Sequence, residues 1–85
     1  MNLSWTEDAW EDYLYWQSTD KKILKRINLL IKETMRSPFA GIGKPEPLRF
    51  ELAGSWSRRI SDEHRLVYTI KNSSTLIIIQ CRYHY

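Results

Sequence analysis

A segment rich in proline and glycine, residues 37–48, divides this 85-residue chain into two parts with different hydrophobic periodicity. The segment contains all three prolines of the chain and two of its three glycines, and this density of both residues interrupts helices and strands alike. Before it, apolar residues recur at the spacing of amphipathic helices, whereas after it they alternate as in strands. The sequence therefore predicts an α+β fold in which the helices precede most of the sheet.

The amino-terminal part predicts one short strand and two helices. Residues 1–5 alternate apolar and polar side chains, as a strand does. Thr6 is suited to cap a helix over residues 7–17, whose first turn is acidic. Residues 21–36 form the clearer helix, because isoleucines and leucines fall on one arc and most lysines and arginines on the opposite arc. Two amphipathic helices need an apolar surface to cover, and a sheet provides one.

The carboxy-terminal part predicts strands joined by polar turns. The candidate strands cover residues 49–52, 55–60, 64–70 and 75–85. The overall order, β-α-α-β-β-β, predicts two N-terminal helices packed on one face of an antiparallel β-sheet. At 85 residues, a single domain over 1–85 is expected.

The charges are unevenly distributed along the chain. Residues 1–20 carry five acids and no lysine or arginine, a net charge of −5, whereas residues 21–85 carry 13 bases and five acids, a net charge of +8. A basic surface favours a polyanion or an acidic protein segment as partner. A well-solvated surface on a small basic protein explains the same pattern, so charge alone leaves both interpretations open.

The sequence lacks the signatures of membrane, secreted and metal-binding proteins. Its longest aliphatic run, residues 76–79, is far shorter than the roughly 20 residues of a membrane span, and its first residues do not form a signal-peptide pattern. His64, His84 and the single Cys81 are too few to supply a metal site, and no nucleotide-binding glycine motif is present. We therefore expect a cytoplasmic protein with no metal, no cofactor and no membrane partner.

The remaining acid–base residues are suited to cleavage of RNA without a metal. RNA supplies its own nucleophile, the 2′-hydroxyl, so a protein needs a base, cations at the phosphate and an acid for the leaving oxygen. Glu46 could be the base, Arg65 the phosphate clamp and His84 the acid, while Tyr85 could stack on an unpaired base. From the residues alone a second interpretation stays open, in which Glu46 is a solvated loop acid and the terminal residues form a polar tail.

Five stretches of the sequence resemble one known family when they are taken together. A Lys-Pro-Glu-Pro-Leu loop combined with an Arg-Tyr-His-Tyr end is specific to the YoeB toxins of the RelE/ParE superfamily, and the resemblance covers essentially the whole chain. The stretches are WEDYLYWQ at 10–17, GKPEPL at 43–48, WSRRI at 56–60, EHRLVY at 63–68 and CRYHY at 81–85.

This resemblance implies a fold and an activity. The family fold is a microbial-RNase-like, RelE-like α+β domain with two helices against an antiparallel sheet. YoeB toxins are mRNA interferases, which means that they are ribosome-dependent endoribonucleases that cleave mRNA in the ribosomal A site and halt translation. The implied reaction is a metal-free attack of the RNA 2′-hydroxyl, which leaves a 2′,3′-cyclic phosphate or its hydrolysed form.

The resemblance also assigns roles to individual residues of this sequence. It implies that Glu46 is the general base, Arg65 contacts the phosphate and His84 is the general acid. Tyr85 is expected to orient the substrate. Further RNA or phosphate contacts are expected from Lys44, Arg49 and Arg59. Arg49 stands where the family is expected to have lysine, so the charge is kept but its geometry differs.

The implied partners follow from the same resemblance. They are a YefM-type antitoxin that folds on binding, the 70S ribosome with its A-site mRNA, and a second copy of the toxin in a homodimer, with DNA reached only through the antitoxin complex. The alternative is a ParE-like toxin of the same fold that binds and poisons DNA gyrase without enzymatic activity. A third is an RNA-binding module that has lost catalysis. The trio of Glu46, Arg65 and His84 favours the nuclease, since neither alternative needs it.

Overall fold

Both predicted helices form, and local capping residues set where they begin. The computed structural model describes all 85 residues. Helix α1 (Glu7–Thr19) begins after Thr6, whose hydroxyl accepts a hydrogen bond from the Ala9 N–H at 3.1 Å. Helix α2 (Lys21–Arg36) begins after Asp20, whose carboxylate accepts hydrogen bonds from two amides of the first turn. Neither helix has the length and hydrophobicity that crossing a bilayer would require.

The sheet has five strands and is mixed. Its spatial order is β1-β5-β4-β3-β2. The pairs β2–β3, β3–β4 and β4–β5 are antiparallel, but β1 runs parallel to β5. The α+β prediction with two helices is confirmed, whereas the prediction of a purely antiparallel sheet is wrong, because the first strand pairs with the last through contacts that no local pattern encodes. The strands are β1 (Asn2–Trp5), β2 (Glu46–Pro47), β3 (Trp56–Arg59), β4 (Arg65–Lys71) and β5 (Thr75–Gln80).

Three strand assignments differ from the predictions by more than one residue. Strand β2 lies inside the predicted loop, and the candidate strand at 49–52 is instead a single 3₁₀ turn, Phe50–Leu52. Strand β5 ends at Gln80 rather than continuing to residue 85. The reason for the early end is Cys81, which leaves the sheet to donate its N–H to the Asp12 carboxylate at 3.1 Å. Residues 81–85 therefore form a tail outside the sheet, and this tail begins beside α1.

The two helices cover one face of the sheet. Trp16 of α1 and Ile27 of α2 are buried against strand residues such as Tyr68 and Ile78 in one apolar cluster. Trp10 of α1 is 43% exposed and only borders this cluster through Trp5 and Tyr13. The opposite face of the sheet, at its β2–β3–β4 side, carries the polar residues of the candidate site. The full apolar cluster consists of Ala9, Trp16, Ile27, Leu30, Ile31, Ile60, Leu66, Tyr68, Leu76, Ile78 and Cys81.

Candidate functional site

A small pocket of about 60 Å3 gathers charged residues from strands β2, β3 and β4 and from the loop before β2. This polar pocket has no apolar side chain in its lining, and it places one carboxylate among three cations. Such an arrangement stabilises added negative charge, because the cations outnumber the single acid. The residues that define the polar pocket are Lys44, Glu46, Ser57, Arg59 and Arg65.

Strand register explains why these side chains meet. Glu46 pairs with Ser57 across β2 and β3, and Arg59 pairs with Arg65 across β3 and β4. Side chains alternate between the two faces of a strand, and Leu66, the neighbour of Arg65, is buried in the cluster under the helices. Ser57, Arg59 and Arg65 therefore lie on the face that the helices leave free.

Arg65 is held rigidly although it carries a charge. Its side chain is almost fully buried. One guanidinium nitrogen, Nη1, donates to the backbone carbonyl oxygens of Ser61 at 2.6 Å, Asp62 at 3.2 Å and His64 at 3.1 Å. The turn between β3 and β4 thus fixes the orientation of this cation at the wall of the polar pocket.

Arg58 is a structural arginine that the sequence did not reveal. Arginine is seldom fully buried, yet Arg58 is fully buried. Its guanidinium donates to the carbonyl oxygens of Ser37, Ala40 and Ile42 and to the hydroxyl of Tyr68. These bonds anchor the start of the proline- and glycine-rich segment, which carries Lys44 and Glu46, to the sheet. No sequence signal distinguishes Arg58 from its exposed neighbour Arg59.

Gly43 brings the same segment against the sheet and the second helix. Its φ of +81° lies in the left-handed region, and a Cβ there would sit 2.8 Å from Leu30 Cδ2. Its carbonyl oxygen accepts the N–H of Arg59 at 2.6 Å. Only glycine meets both the backbone conformation and the close approach, so Gly43 sets the path of the chain into Lys44 and Glu46.

Tyr85 connects the tail to the polar pocket. Its hydroxyl donates a hydrogen bond to Glu46 Oε1 at 3.2 Å and lies 3.1 Å from the hydroxyl oxygen of Ser57. Tyr85 and Glu46 also line a second depression of about 390 Å3. We call it the apolar cleft, because most of its remaining lining is apolar. Its other lining residues are Pro47, Leu48, Arg49, Phe50 and Leu52.

The structure separates two of the predicted cations from one another. Arg59 lines the polar pocket with its side chain 47% exposed, and its nearest acid is Asp62 at 4.0 Å. Arg49 lies in the apolar cleft and not in the polar pocket. The two arginines therefore reach different sides of Glu46, which belongs to both depressions.

His84 does not join Glu46 in either depression. It lines a third, of about 470 Å3, which we call the acidic cleft because Asp8, Glu11 and Asp12 of α1 also line it. The His84 Nδ1 lies 3.3 Å from the carbonyl oxygen of Tyr85, and the two rings are 5.0 Å apart. The expected meeting of acid and base is therefore absent from this conformation.

Two anchors fix the tail before it reaches His84. At the first, the Trp16 Nε1–H donates to the Cys81 carbonyl oxygen at 2.8 Å. At the second, the Tyr83 N–H donates to His64 Nδ1 at 2.8 Å, and the Tyr83 carbonyl oxygen accepts the Arg65 N–H at 3.0 Å. His64 also packs edge-on against Trp16. The candidate strand at 64–70 gave no sign of this contact, because His64 lies just before β4 and holds the tail.

Burial raises the pKa of two side chains near the first anchor. It raises the pKa of Asp12, although the Cys81 N–H and the nearby Arg82 charge act in the opposite direction. Burial also raises the pKa of the Cys81 thiol to about 12, and the negative charge of Asp12 adds to this effect. Cys81 is consequently a neutral core residue and not a nucleophile.

Comparison with known proteins assigns the family. The model of the YoeB-like toxins of bacterial type II toxin–antitoxin systems matches residues 5–85. Toxin YoeB of Escherichia coli K12 is 62% identical over 85 residues, which is the full length of both chains. This chain belongs to the YoeB-like toxin family. It is therefore a toxin of the type II toxin–antitoxin class within the RelE/ParE superfamily.

Solved structures of YoeB toxins have the same fold. The YoeB/ParE toxin from Agrobacterium tumefaciens is 53% identical with a TM-score of 0.97, and the match covers all of both chains. A YoeB dimer and a heterotetrameric YoeB–YefM complex, both from Staphylococcus aureus, are each 48% identical with a TM-score of 0.91, and each match covers 100% of this chain and 98% of the other.

In this YoeB-like toxin the residues expected from the resemblance form three groups. The base, the phosphate clamp and two further cations meet in the polar pocket, with the Tyr85 hydroxyl at its edge. Arg49 lies in the adjoining apolar cleft, and His84 lies across the tail in the acidic cleft. Their catalytic roles remain predictions.

Proposed function

We propose that this YoeB-like toxin is a ribosome-dependent endoribonuclease that cleaves mRNA in the A site. The observation that carries the proposal is the polar pocket, where Glu46 is the only acid among Lys44, Arg59 and Arg65. A carboxylate beside three cations can accept a proton while the cations bind the phosphate that is being cleaved. No gyrase-binding function calls for that combination.

The proposed reaction begins with the 2′-hydroxyl of the RNA. Glu46 accepts the hydroxyl proton while the 2′-oxygen forms a bond to phosphorus, and the bond from phosphorus to the 5′-oxygen then breaks. Arg65 is suited to bind the phosphate because its orientation is fixed by the turn before β4. The exposed Arg59 side chain can adjust to the extra charge of the pentacoordinate phosphorane.

His84 is the proposed acid that protonates the leaving 5′-oxygen. The residues before it are anchored at Cys81 and Tyr83, but His84 itself is exposed, and its contact is with the next residue of the tail. The proposed role requires His84 to move towards Glu46 when substrate binds, and catalytic contacts commonly tighten only in the complex with substrate.

The ribosome is the proposed setting, because a separate basic surface lies away from the pocket. Helix α2 exposes a row of bases on the side that does not pack on the sheet. Contacts with the phosphates of ribosomal RNA need no sequence specificity and depend on salt. A translating ribosome as substrate also implies a cytoplasmic location. The bases are Lys21, Lys22, Lys25, Lys32 and Arg36.

An antitoxin and a second copy are the proposed protein partners. A YefM-type antitoxin with an acidic segment fits the +8 charge of residues 21–85. For the homodimer we propose the apolar surface around α1 and β1, where Trp10, Leu14 and Leu3 are all at least 38% exposed. Trp10→Ala should shift the purified toxin from dimer to monomer in light scattering, whereas Leu29→Ala on α2 should not.

The test of the nuclease compares Glu46→Gln with wild type and with Glu51→Gln, an exposed acid outside the polar pocket. Each purified toxin is mixed with mRNA on programmed 70S ribosomes and with the same mRNA free in solution, and the 5′ ends are mapped. We expect wild type and Glu51→Gln to cut within the A-site codon, much faster on ribosomes. Glu46→Gln should lower the single-turnover rate about 10²- to 10⁴-fold.

Each alternative has a distinct outcome. Equal rates on and off the ribosome would contradict ribosome dependence, and an unchanged Glu46→Gln rate would contradict its role as base. A fully active His84→Ala toxin would contradict the role of His84 as the general acid. Absence of cleavage together with inhibition of DNA gyrase supercoiling would favour the ParE-like alternative.

A further inference from the structure

Phe50 is the most exposed of the large apolar side chains, at 86%. A single exposed apolar residue is ordinary on a protein surface, but Phe50 stands beside the candidate site and lines the apolar cleft together with Glu46 and Tyr85. Its position, and not its exposure alone, calls for an explanation.

The backbone holds Phe50 in this exposed position. Its φ of +58° lies in the left-handed region, which aromatic residues rarely occupy. Two hydrogen bonds close the turn around it, from the Leu52 N–H to the Arg49 carbonyl oxygen at 3.1 Å and from the Ala53 N–H to the Phe50 carbonyl oxygen at 3.0 Å. Strain of this kind persists only where the surroundings enforce it, and it is concentrated at binding and catalytic sites.

The composition of the apolar cleft identifies the chemistry of a ligand. It combines two aromatic rings, the apolar side chains of Leu48 and Leu52, and the cation Arg49, next to the Glu46 carboxylate. An unpaired nucleotide has a matching composition, with a flat aromatic base and a negative phosphate. At about 390 Å3 the apolar cleft is also much larger than the polar pocket of about 60 Å3, which is suited to a phosphate group.

We propose that Phe50 is a stacking platform for an unpaired nucleobase of the RNA, adjacent to the bond that is cleaved. The inference rests on the proposed nuclease function, since it assigns the apolar cleft to a nucleotide next to the phosphate in the polar pocket. Glu46, which borders both depressions, lies between the base-binding and phosphate-binding parts of the surface. Arg49 binds the neighbouring phosphate of the same nucleotide chain.

The test uses Phe50→Ala, with Phe50→Tyr as the conservative variant and Phe39→Ala as the control. Phe39 is also an exposed phenylalanine, but it lies outside all three depressions and off the basic side of α2. Cleavage of one defined A-site codon is measured under single-turnover conditions at increasing ribosome concentration. Phe50→Ala should raise the ribosome concentration at half-saturation roughly 5- to 100-fold, as expected for loss of base–aromatic stacking, whereas Phe50→Tyr and Phe39→Ala should stay within about twofold of wild type.

A second measurement asks whether the lost partner is a base. The mRNA is made with an abasic nucleotide on either side of the cleaved bond. At one of the two positions, the abasic nucleotide should raise the half-saturating ribosome concentration of wild type as much as Phe50→Ala does. Combining that nucleotide with Phe50→Ala should raise it no further than either change alone, because both remove the same stacking contact. If the effects of the abasic nucleotide and of Phe50→Ala add up at both positions, the proposal is wrong.

Two further outcomes separate this proposal from its alternatives. If Phe50→Ala cleaves like wild type but loses affinity for a YefM-type antitoxin, the apolar cleft binds a protein partner and the proposal is wrong. If wild type does not cleave at all, the nuclease function fails, and Phe50 is then tested by equilibrium binding of toxin to the programmed ribosome. In that assay an unchanged affinity of Phe50→Ala would overturn the stacking role.

Discussion

The hydroxyl of Tyr85 donates a hydrogen bond to the Glu46 carboxylate at 3.2 Å, although 39 positions separate the two residues in the chain. The same hydroxyl lies 3.1 Å from the buried Ser57 side chain of β3. The carboxylate proposed as base is therefore oriented by a residue of the tail, and the position of the tail affects the polar pocket directly.

Replacing Tyr85 by phenylalanine tests this orientation. Tyr85→Phe keeps the ring but removes a hydrogen bond to a charged group, so we expect about a tenfold lower single-turnover cleavage rate. The free energy of unfolding should change little, since the ring is retained and Tyr85 is 44% exposed. Tyr83→Phe is the matched control, because Tyr83 is more exposed and outside the polar pocket. Equal loss in both variants would contradict a specific role for the Tyr85 hydroxyl.

Substitutions of the adjacent Arg58 and Arg59 should affect different properties, the first the stability of the fold and the second the rate of RNA cleavage. Arg58→Met leaves four acceptors without their donor, among them the hydroxyl of the buried Tyr68, so we expect a loss of about 3–5 kcal/mol in the free energy of unfolding. Arg59→Met should change that free energy by less than about 0.5 kcal/mol, because its side chain is half exposed. Arg59→Met should instead slow RNA cleavage. Urea denaturation and the cleavage assay measure the two effects. A similar free energy of unfolding for both variants would contradict the role of Arg58 as an anchor.

The His64 anchor makes a third prediction about the tail. His64→Asn keeps a side-chain acceptor near the position of Nδ1, whereas His64→Leu removes the acceptor for the Tyr83 N–H. We expect His64→Leu to lower the cleavage rate and to expose the Tyr83 amide to hydrogen exchange, and His64→Asn to restore much of both. A tail amide that stays equally protected in His64→Leu would show that the other contacts hold the tail without His64.

Burial of Cys81 makes a prediction about pH. Its thiol pKa is raised from 9.0 to about 12 in the folded protein, so alkylation of the native toxin by iodoacetamide should remain slow through pH 9 and become fast only in denaturant. The unfolded thiol ionises first as the pH rises, so this group lowers the stability of the fold between about pH 9 and 12. Rapid native alkylation at pH 8 would contradict a buried neutral thiol. A Cys81→Ala variant controls for reaction at other side chains.

The sequence predicted the elements whose signals are local. The cap at Thr6 and the amphipathic pattern of both helices placed them closely, because capping and periodicity act over a few residues. The strands around Arg58 and Val67 were placed to within one residue at each end for the same reason. The short strand at Glu46 was missed, because two residues between prolines carry no periodic pattern.

The chain order of residues determined the helices, the strand-rich second part, the charge asymmetry and, through the Lys-Pro-Glu-Pro-Leu and Arg-Tyr-His-Tyr motifs, the family. Only the tertiary structure decided that β1 lies parallel to β5, that Arg58 is buried while Arg59 is not, and that His84 and Glu46 lie in different depressions. The physical reason is the distance along the chain over which each kind of interaction acts. Helix caps and amphipathic patterns depend on neighbours, whereas strand partners, the burial of a charge and the path of a tail depend on contacts between residues far apart in the chain.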